Sequence, residues 1–490
     1  MNVAALAERL RVELGPEAVF EQPEDTLMYE YDYGLDRGAP QLVALPDSTA
    51  QVQTAVRLAA DAGVPIVPRG AGTGIAGGAV PRSGGLVIGV SRLRRILEID
   101  RENRCAVVQP GVVNLELSRA AAPFGLYFAP DPSSQKASTI GGNIGNNAGG
   151  PHCLAQGVTT NHVLGLEVVL DDGSVVRLGG KAAAGVGLDL TGLLVGSEGT
   201  LGIVTEATLR ILALPEAVRT TLAIFPSVDA ASEAVSALIG RGIVPAALEM
   251  MDQLALSAIE AAFHAGYPPE AGAVLLVEVD GLVEQVEAQA EVVDAVCRAA
   301  GSIELRLAST PDERARLWAA RKGAASAMGR IAPNYYLHDA VVPRTRLPAM
   351  LSHVIDVGRR YDLPIANLFH AGDGNLHPMI LFDVREPGVL DRVLPAGREI
   401  LLACIEAGGT ITGEHGVGLE KPDYMPLIFS AEDLNAMARV RRAIEPAGLF
   451  NPGKVLPAGS GCLDGGAQST RRASMPPLAT VNEPAEALWV

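Results

Sequence analysis

Two apolar runs, 64–67 (VPIV) and 86–90 (LVIGV), are joined by a segment with five glycines between Gly70 and Gly78. Gly72, Gly74 and Gly77 have the spacing G-x-G-x-x-G, which in a dinucleotide-binding unit carries a strand directly into a helix. Here Gly78, Pro81, Gly84 and Gly85 follow, and glycine and proline at this density do not open a helix. The segment is therefore strand–loop–strand, and a nicotinamide-binding Rossmann unit is rejected. Glycine lets successive N–H groups converge on one concavity and lets the backbone approach a ligand, which suits a pyrophosphate. Pro68, Arg69, Gly70, Ala71, Gly72, Thr73 and Gly74 are the candidate contacts, with Arg69 adding charge. Taken alone, the loop reads equally well as a flexible surface connection.

Two further segments have the same character. Pro130 and Asp131 precede 138–150 (STIGGNIGNNAGG), where five glycines, three asparagines and two hydroxyl residues fill thirteen positions; the third segment is 195–204 (VGSEGTLGIV). Asn, Ser and Thr supply neutral donors and acceptors suited to a ribityl chain, and they also favour tight turns on their own. Three such segments, each read as flanked by strands, point to a large buried cofactor wrapped by backbone. The candidates here are Pro130, Asp131, Ser138, Thr139, Gly141, Gly142, Asn143, Gly145 and Asn147, then Glu198, Gly202, Ile203 and Val204.

The surrounding periodicities describe an α+β domain. Residues 42–45 form a strand, 48–51 (STAQ) have the form of a capping box, and apolar residues at helical spacing run to Gly63. Residues 163–178 read as a hairpin turning at Asp172-Gly173, and 202–211 alternate as a strand with one buried face. Beyond about 218, helices at 228–240 and 282–300 interleave with strands at 274–279 and 304–307. This suggests a second α+β domain, an antiparallel sheet with helices on one side. The division is an N-terminal helical segment (1–37), a first domain (38–217), a second domain (218–456) and a Gly/Pro/Ser-rich tail (457–490) expected to be disordered.

Composition narrows the function. Asp+Glu number 56 against 39 Lys+Arg, a formal net charge of −17, which repels polyphosphate backbones and argues against nucleic-acid binding. The five cysteines are scattered without a C-x-x-C pair, so neither a disulfide framework nor an iron–sulfur site is expected. Glu8, Arg9, Arg11 and Glu13 interrupt any signal-peptide apolar region, and no uncharged run approaches the ~18 residues of a membrane span. A cytoplasmic location is expected, with peripheral contact at the inner face of a membrane left open.

Chemistry concentrates in two motifs of the second half, 370–377 (HAGDGNLH) and 413–418 (GEHGVG). The first reads as strand–turn–strand, which places His370 and His377 side by side. The second places Glu414 and His415 at a strand end. Two imidazoles and a carboxylate form a common divalent-metal set with open positions. A lone histidine would read as a hydrogen-bonded core residue, but this grouping in glycine-rich turns reads as a site.

Taken in order, these motifs resemble the vanillyl-alcohol-oxidase or PCMH-type FAD-linked oxidases. Residues 20–456 are similar to the FAD subunits of glycolate oxidase (glycolate dehydrogenase) and, more loosely, to D-lactate and D-2-hydroxyglutarate dehydrogenases. The resemblance implies a two-subdomain PCMH-type FAD-binding domain over 38–217 and an α+β substrate domain over 218–456. It places the FAD pyrophosphate on 69–74, and the flavin and its linker along Pro130, Ser138, Thr139, Gly142, Asn143 and Gly145. Ile203 and Val204 fall near the adenine or isoalloxazine. Some relatives attach the flavin through a loop histidine; 69–85 contain none, so FAD is expected to be non-covalent.

The resemblance further implies a divalent metal (Zn, Mn or Fe) on His370, His377 and Glu414, with His415 as general base. Asn375 would bond the substrate, and Arg321 would pair with its carboxylate. From the residues alone, Arg321 reads equally as an exposed helix position. D-2-hydroxyglutarate relatives carry a threonine where this chain has Ala325, and a lysine that is missing from 335–339 (YYLHD). Both serve a second carboxylate, so a small monoacid, glycolate or D-lactate, is expected as substrate and a 2-oxo acid as product. Electrons would pass to a quinone or cytochrome, or to a second FAD-domain subunit and an iron–sulfur subunit of a glycolate oxidase complex. The alternatives are a stand-alone D-lactate or D-2-hydroxyglutarate dehydrogenase, an alkyl-glycerone-phosphate synthase-like flavoenzyme, and a flavin-binding accessory subunit without chemistry.

Overall fold

The computed structural model describes residues 3–182, 186–308 and 310–458. The expectation of a disordered tail thus falls, beyond residue 458, outside the described residues.

The glycine loop lies between strands as read. Ile66–Arg69 and Leu42–Ala44 flank Leu86–Gly89 in parallel, and Val19–Phe20 adds an antiparallel edge. The helix Thr49–Ala62 starts where the Ser48 hydroxyl accepts the Gln51 N–H and stops at Gly63, which takes φ 64°. The capping box does not close, because the Gln51 side chain accepts from Asp47 N–H at 2.9 Å instead. Val52, Ala55, Val56 and Ala59 share one helix face and pack on this sheet with Leu6 and Leu10 of the helix Val3–Leu14.

A second sheet is antiparallel, in the order Ile96–Asp100, Cys105–Val108, Ile203–Arg210, Val163–Val169, Val175–Gly179. Its last pair forms the expected hairpin, with Gly173 at φ 73°. The second glycine segment departs from the expectation of a loop between strands. Ile140–Asn146 is a helix, capped by Thr139 Oγ1 accepting the Gly142 N–H. Ile140 and Ile144 lie four apart and both enter the core of this sheet. Their burial offsets the cost of helical glycine, about 1 kcal/mol each.

The second half of the chain builds an eight-stranded antiparallel sheet. Its path runs Glu304–Ala308, Ala217–Phe225, Ala273–Gly281, Ala247–Asp252, Ile365–His370, Asn375–Phe382, Asn334–Leu337, and Ala340–Val341 pairs with Asn375–Phe382 off that path. Helices cover both faces, not one. Ala223, Phe225, Leu275 and Val277 pack with residues of the helices Val228–Gly240, Val283–Ala299, Leu347–Tyr361 and Leu390–Glu406. Leu222, Ile224, Leu276 and Leu368 pack on the opposite side with Gln253–Phe263 and Pro311–Lys322. Double-sided burial explains the continuous apolar run AVLLV at 273–277, where a sheet wet on one face would alternate.

Leu337, Leu368 and Met379 also border a cavity shared with the glycine segments. Among the described residues, no helix is long and apolar enough to cross a membrane. Phe225 is fully buried and does not border that cavity. Phe225→Ala is expected to destabilise the fold by about 3–5 kcal/mol, measured by chemical denaturation followed by far-UV circular dichroism.

Candidate active site

Sheet register assembles the first part of the site. Glu249 stands opposite His370 on the neighbouring strand, and His377 stands opposite Leu368 on the next. The turn at 371–374 returns the chain so that the two imidazoles meet edge to face, with centroids 5.0 Å apart. His370 Nδ1 lies 2.6 Å from Glu249 Oε1, and its Nε2 lies 3.3 Å from Glu414 Oε1. The same Glu414 oxygen is 3.4 Å from His377 Nε2. The His415 ring stacks on His377 at 5.1 Å, with 12° between planes.

Glu414 and His415 do not sit on a strand end. The pairing stops at the bridge between Val341 and Thr410, and the chain continues as a loop. Side chains then satisfy six consecutive amides. Asp339 Oδ2 accepts from the N–H groups of Gly413, Glu414 and His415 at 2.9, 3.0 and 2.8 Å. Thr412 Oγ1 accepts from Gly416 at 2.9 Å. The two Glu198 oxygens accept from Val417 and Gly418, each at 2.8 Å. The carboxylate of Glu198, a cofactor candidate by sequence, is spent on this loop, although the residue also borders the cavity.

The charge states differ across the cluster. Burial works against ionisation of Glu414, yet His370, His377 and His415 outweigh it and hold that carboxyl at about 2. Burial also opposes charging His370, but Glu249 and Glu414 raise its imidazole well above the usual range. His415 goes the other way. Burial outweighs the attraction of Asp339 and lowers it to about 4, so near pH 7 it is neutral and able to accept a proton.

His377, Glu414, His415 and Arg321 open onto one cavity of about 440 Å³ together with all three glycine segments. From the first segment come Pro68, Arg69, Gly70, Ala71, Gly72, Thr73 and Gly74. From the other two come Thr139, Gly141, Gly142, Asn143 and Gly145, then Glu198, Gly202, Ile203 and Val204. Arg69 turns its guanidinium onto the carbonyls of Met28 and Ala79, at 3.1 and 3.3 Å, and so braces the loop. Arg321 is only 5% exposed, which removes the reading as a solvent-facing helix residue.

The other candidates lie outside the wall. Pro130 offers its carbonyl to the Asn114 side chain at 2.9 Å. Asp131 pairs with His152 at 3.0 Å and Lys322 at 3.2 Å. Ser138 is buried and does not border the cavity. Asn147 closes the helix Ile140–Asn146 at φ 52° and accepts from Thr160 N–H. His370 sits behind His377, and Asn375 is buried against Gly413.

Three acids escaped the sequence reading. Asp32, within 28–34 (MYEYDYG), accepts from Gly77 N–H at 2.9 Å and borders the cavity. Glu249 and Asp339 are fully buried. The available signal was an acid inside an otherwise uncharged run, VPAALEMM at 244–251 and IAPNYYLHDAVVP at 331–343, since a carboxylate there must find a partner.

The donor chemistry fits the groups the motifs imply. His370, His377 and Glu414 offer ligand atoms within 4.8 Å of one another, as do Asp339, His377 and His415. His377 Nε2 is buried without a hydrogen-bond partner, as a metal-facing nitrogen would be. The cavity also has room that no packing demands. A Cβ at Gly145 would meet nothing within 4 Å, and one at Gly74 nothing nearer than 3.8 Å.

Comparison with known proteins gives the family. Residues 40–179 match the family described as FAD binding domain, and 214–455 match FAD linked oxidases, C-terminal domain. The chain is 45% identical over 460 residues to glycolate oxidase subunit GlcD of Escherichia coli (strain K12), covering 94% of this chain and 92% of that one. It is 32% identical over 456 residues to a D-lactate dehydrogenase of Anaerostipes hadrus, covering 90% and 95%. The solved structure of p-cresol methylhydroxylase with substrate bound superposes with a TM-score of 0.76 at 17% identity, covering 92% of this chain and 96% of that one, and supports the PCMH-type fold. The chain therefore belongs to the FAD-linked oxidases, an oxidoreductase family in which glycolate oxidase subunit GlcD and D-lactate dehydrogenase are its relatives.

Proposed function

We propose that this chain oxidises a small 2-hydroxy acid, glycolate or D-lactate, to the 2-oxo acid. The observation that carries the reading is that a neutral, partly buried His415, Arg321, and His377 and Glu414 of the imidazole–carboxylate donor set border one cavity with the glycine segments. Bound FAD, held without a covalent link, supplies the acceptor for the two electrons and the hydrogen that leave Cα. A divalent cation on His370, His377 and Glu414 would supply positive charge beside the substrate hydroxyl and lower its pKa. Arg321 holds the carboxylate through a planar guanidinium. His415 then accepts the hydroxyl proton on an imidazole nitrogen.

Ala325 and Leu337 border the cavity and offer nothing to a second carboxylate, which favours a monoacid. Identity to relatives named glycolate oxidase subunit and D-lactate dehydrogenase supports the same substrates. The word subunit in the first name supports a place in a larger assembly, where a second FAD-domain subunit and an iron–sulfur subunit would carry the electrons onward.

Anaerobic addition of glycolate or D-lactate to the purified flavoprotein is expected to bleach its visible absorbance band; an unchanged band with both acids would remove the reading. His415→Ala is expected to keep its flavin and lose about 100- to 10,000-fold in kcat, followed with a redox dye. Full turnover in that variant would sink the base assignment. Gly145 is helical with free space beside it, so Gly145→Leu should fold normally yet purify without the flavin band, while circular dichroism stays that of the parent.

A further inference from the structure

We infer that Glu249 is a positioning residue that sets both halves of the site, the orientation of His370 and that of Arg321; the inference rests on the metal-assisted reading above. Glu249 is fully buried in the middle of a strand and does not border the cavity. It therefore acts through its neighbours. Each oxygen is committed to a different one. Oε1 lies 2.6 Å from His370 Nδ1, and Oε2 lies 2.6 Å from Arg321 Nη2.

An acceptor at Nδ1 keeps the proton on that nitrogen. Nε2, the nitrogen facing Glu414, is then the one on which a metal ion would take the place of a proton. The other oxygen supplies the counter-charge that a buried guanidinium needs. Arg321 is the penultimate residue of the helix Pro311–Lys322, whereas His370 ends a strand. Glu249 is the group that ties these two elements together at the site. Strand register, with Glu249 opposite His370, fixes the contact without any flexible segment.

The test uses the flavin-loaded protein, stripped with a chelator and titrated with Zn²⁺ or Mn²⁺, with bound metal measured by elemental analysis. Glu249→Ala is expected to bind metal about 10- to 100-fold more weakly. Glu249→Gln keeps an acceptor for Nδ1–H and is expected to lose less metal affinity. It cannot neutralise Arg321, so its kcat/KM for D-lactate or glycolate should fall as far as that of the alanine variant. Arg321→Met should lower kcat/KM while leaving metal affinity at the parent value, separating the two arms. Parent-like metal affinity in Glu249→Ala overturns the inference. If that variant yields no flavoprotein, parent-like metal affinity and kcat/KM in Glu249→Gln overturn it. A parent protein that binds no more metal than His370→Ala removes the metal-assisted reading itself, and this inference with it.

Discussion

The site depends on keeping a loop without secondary structure in one conformation. Its six amides from Gly413 to Gly418 are satisfied by Asp339, Thr412 and Glu198. A buried amide left unpaired costs about 1–3 kcal/mol, a penalty that falls in full on Val417 and Gly418, the two buried positions of the six. Asp339 lies between the strands Asn334–Leu337 and Ala340–Val341 of the large sheet, whereas Glu198 belongs to the third glycine segment. The loop is thus clamped from both halves of the chain. That clamp holds Glu414 and His415 over the two strand-borne histidines. Glu198 itself sits at φ 52°, a conformation a non-glycine residue keeps only where its surroundings enforce it.

The same neighbourhood gives two nearby histidines opposite character. His370 lies between Glu249 and Glu414, and two carboxylates favour positive charge there against the cost of burial. His415 has only the more distant Asp339 and Glu414 oxygens, each at 3.8 Å, and burial prevails. One position favours a cation, and the other keeps a free lone pair for a proton. Environment rather than residue type sets these charge states.

Much of this was legible in the chain itself. The strand–glycine–strand loop excluded a helix at Gly77 by conformational cost alone, and the hairpin at 370–377 brought its histidines together because a short turn between strands leaves little choice. Local chemistry decides such features. Glu249 and Asp339 stayed hidden because their partners lie far along the chain, His370 for the one and residues 413–415 for the other. The helix Ile140–Asn146 also went unread, since its glycines argue against a helix and only the burial of Ile140 and Ile144 favours one.

By itself, then, the sequence determined the glycine-rich loops, the α+β class and the residue types of the candidate site, because each follows from short-range conformational preference or from motif spacing. Tertiary structure alone decided that Arg321 is buried, that helices cover both faces of the large sheet, and that buried carboxylates hold the loop at 413–418. Those facts depend on long-range register and on which charges are removed from water together, and no local pattern encodes either.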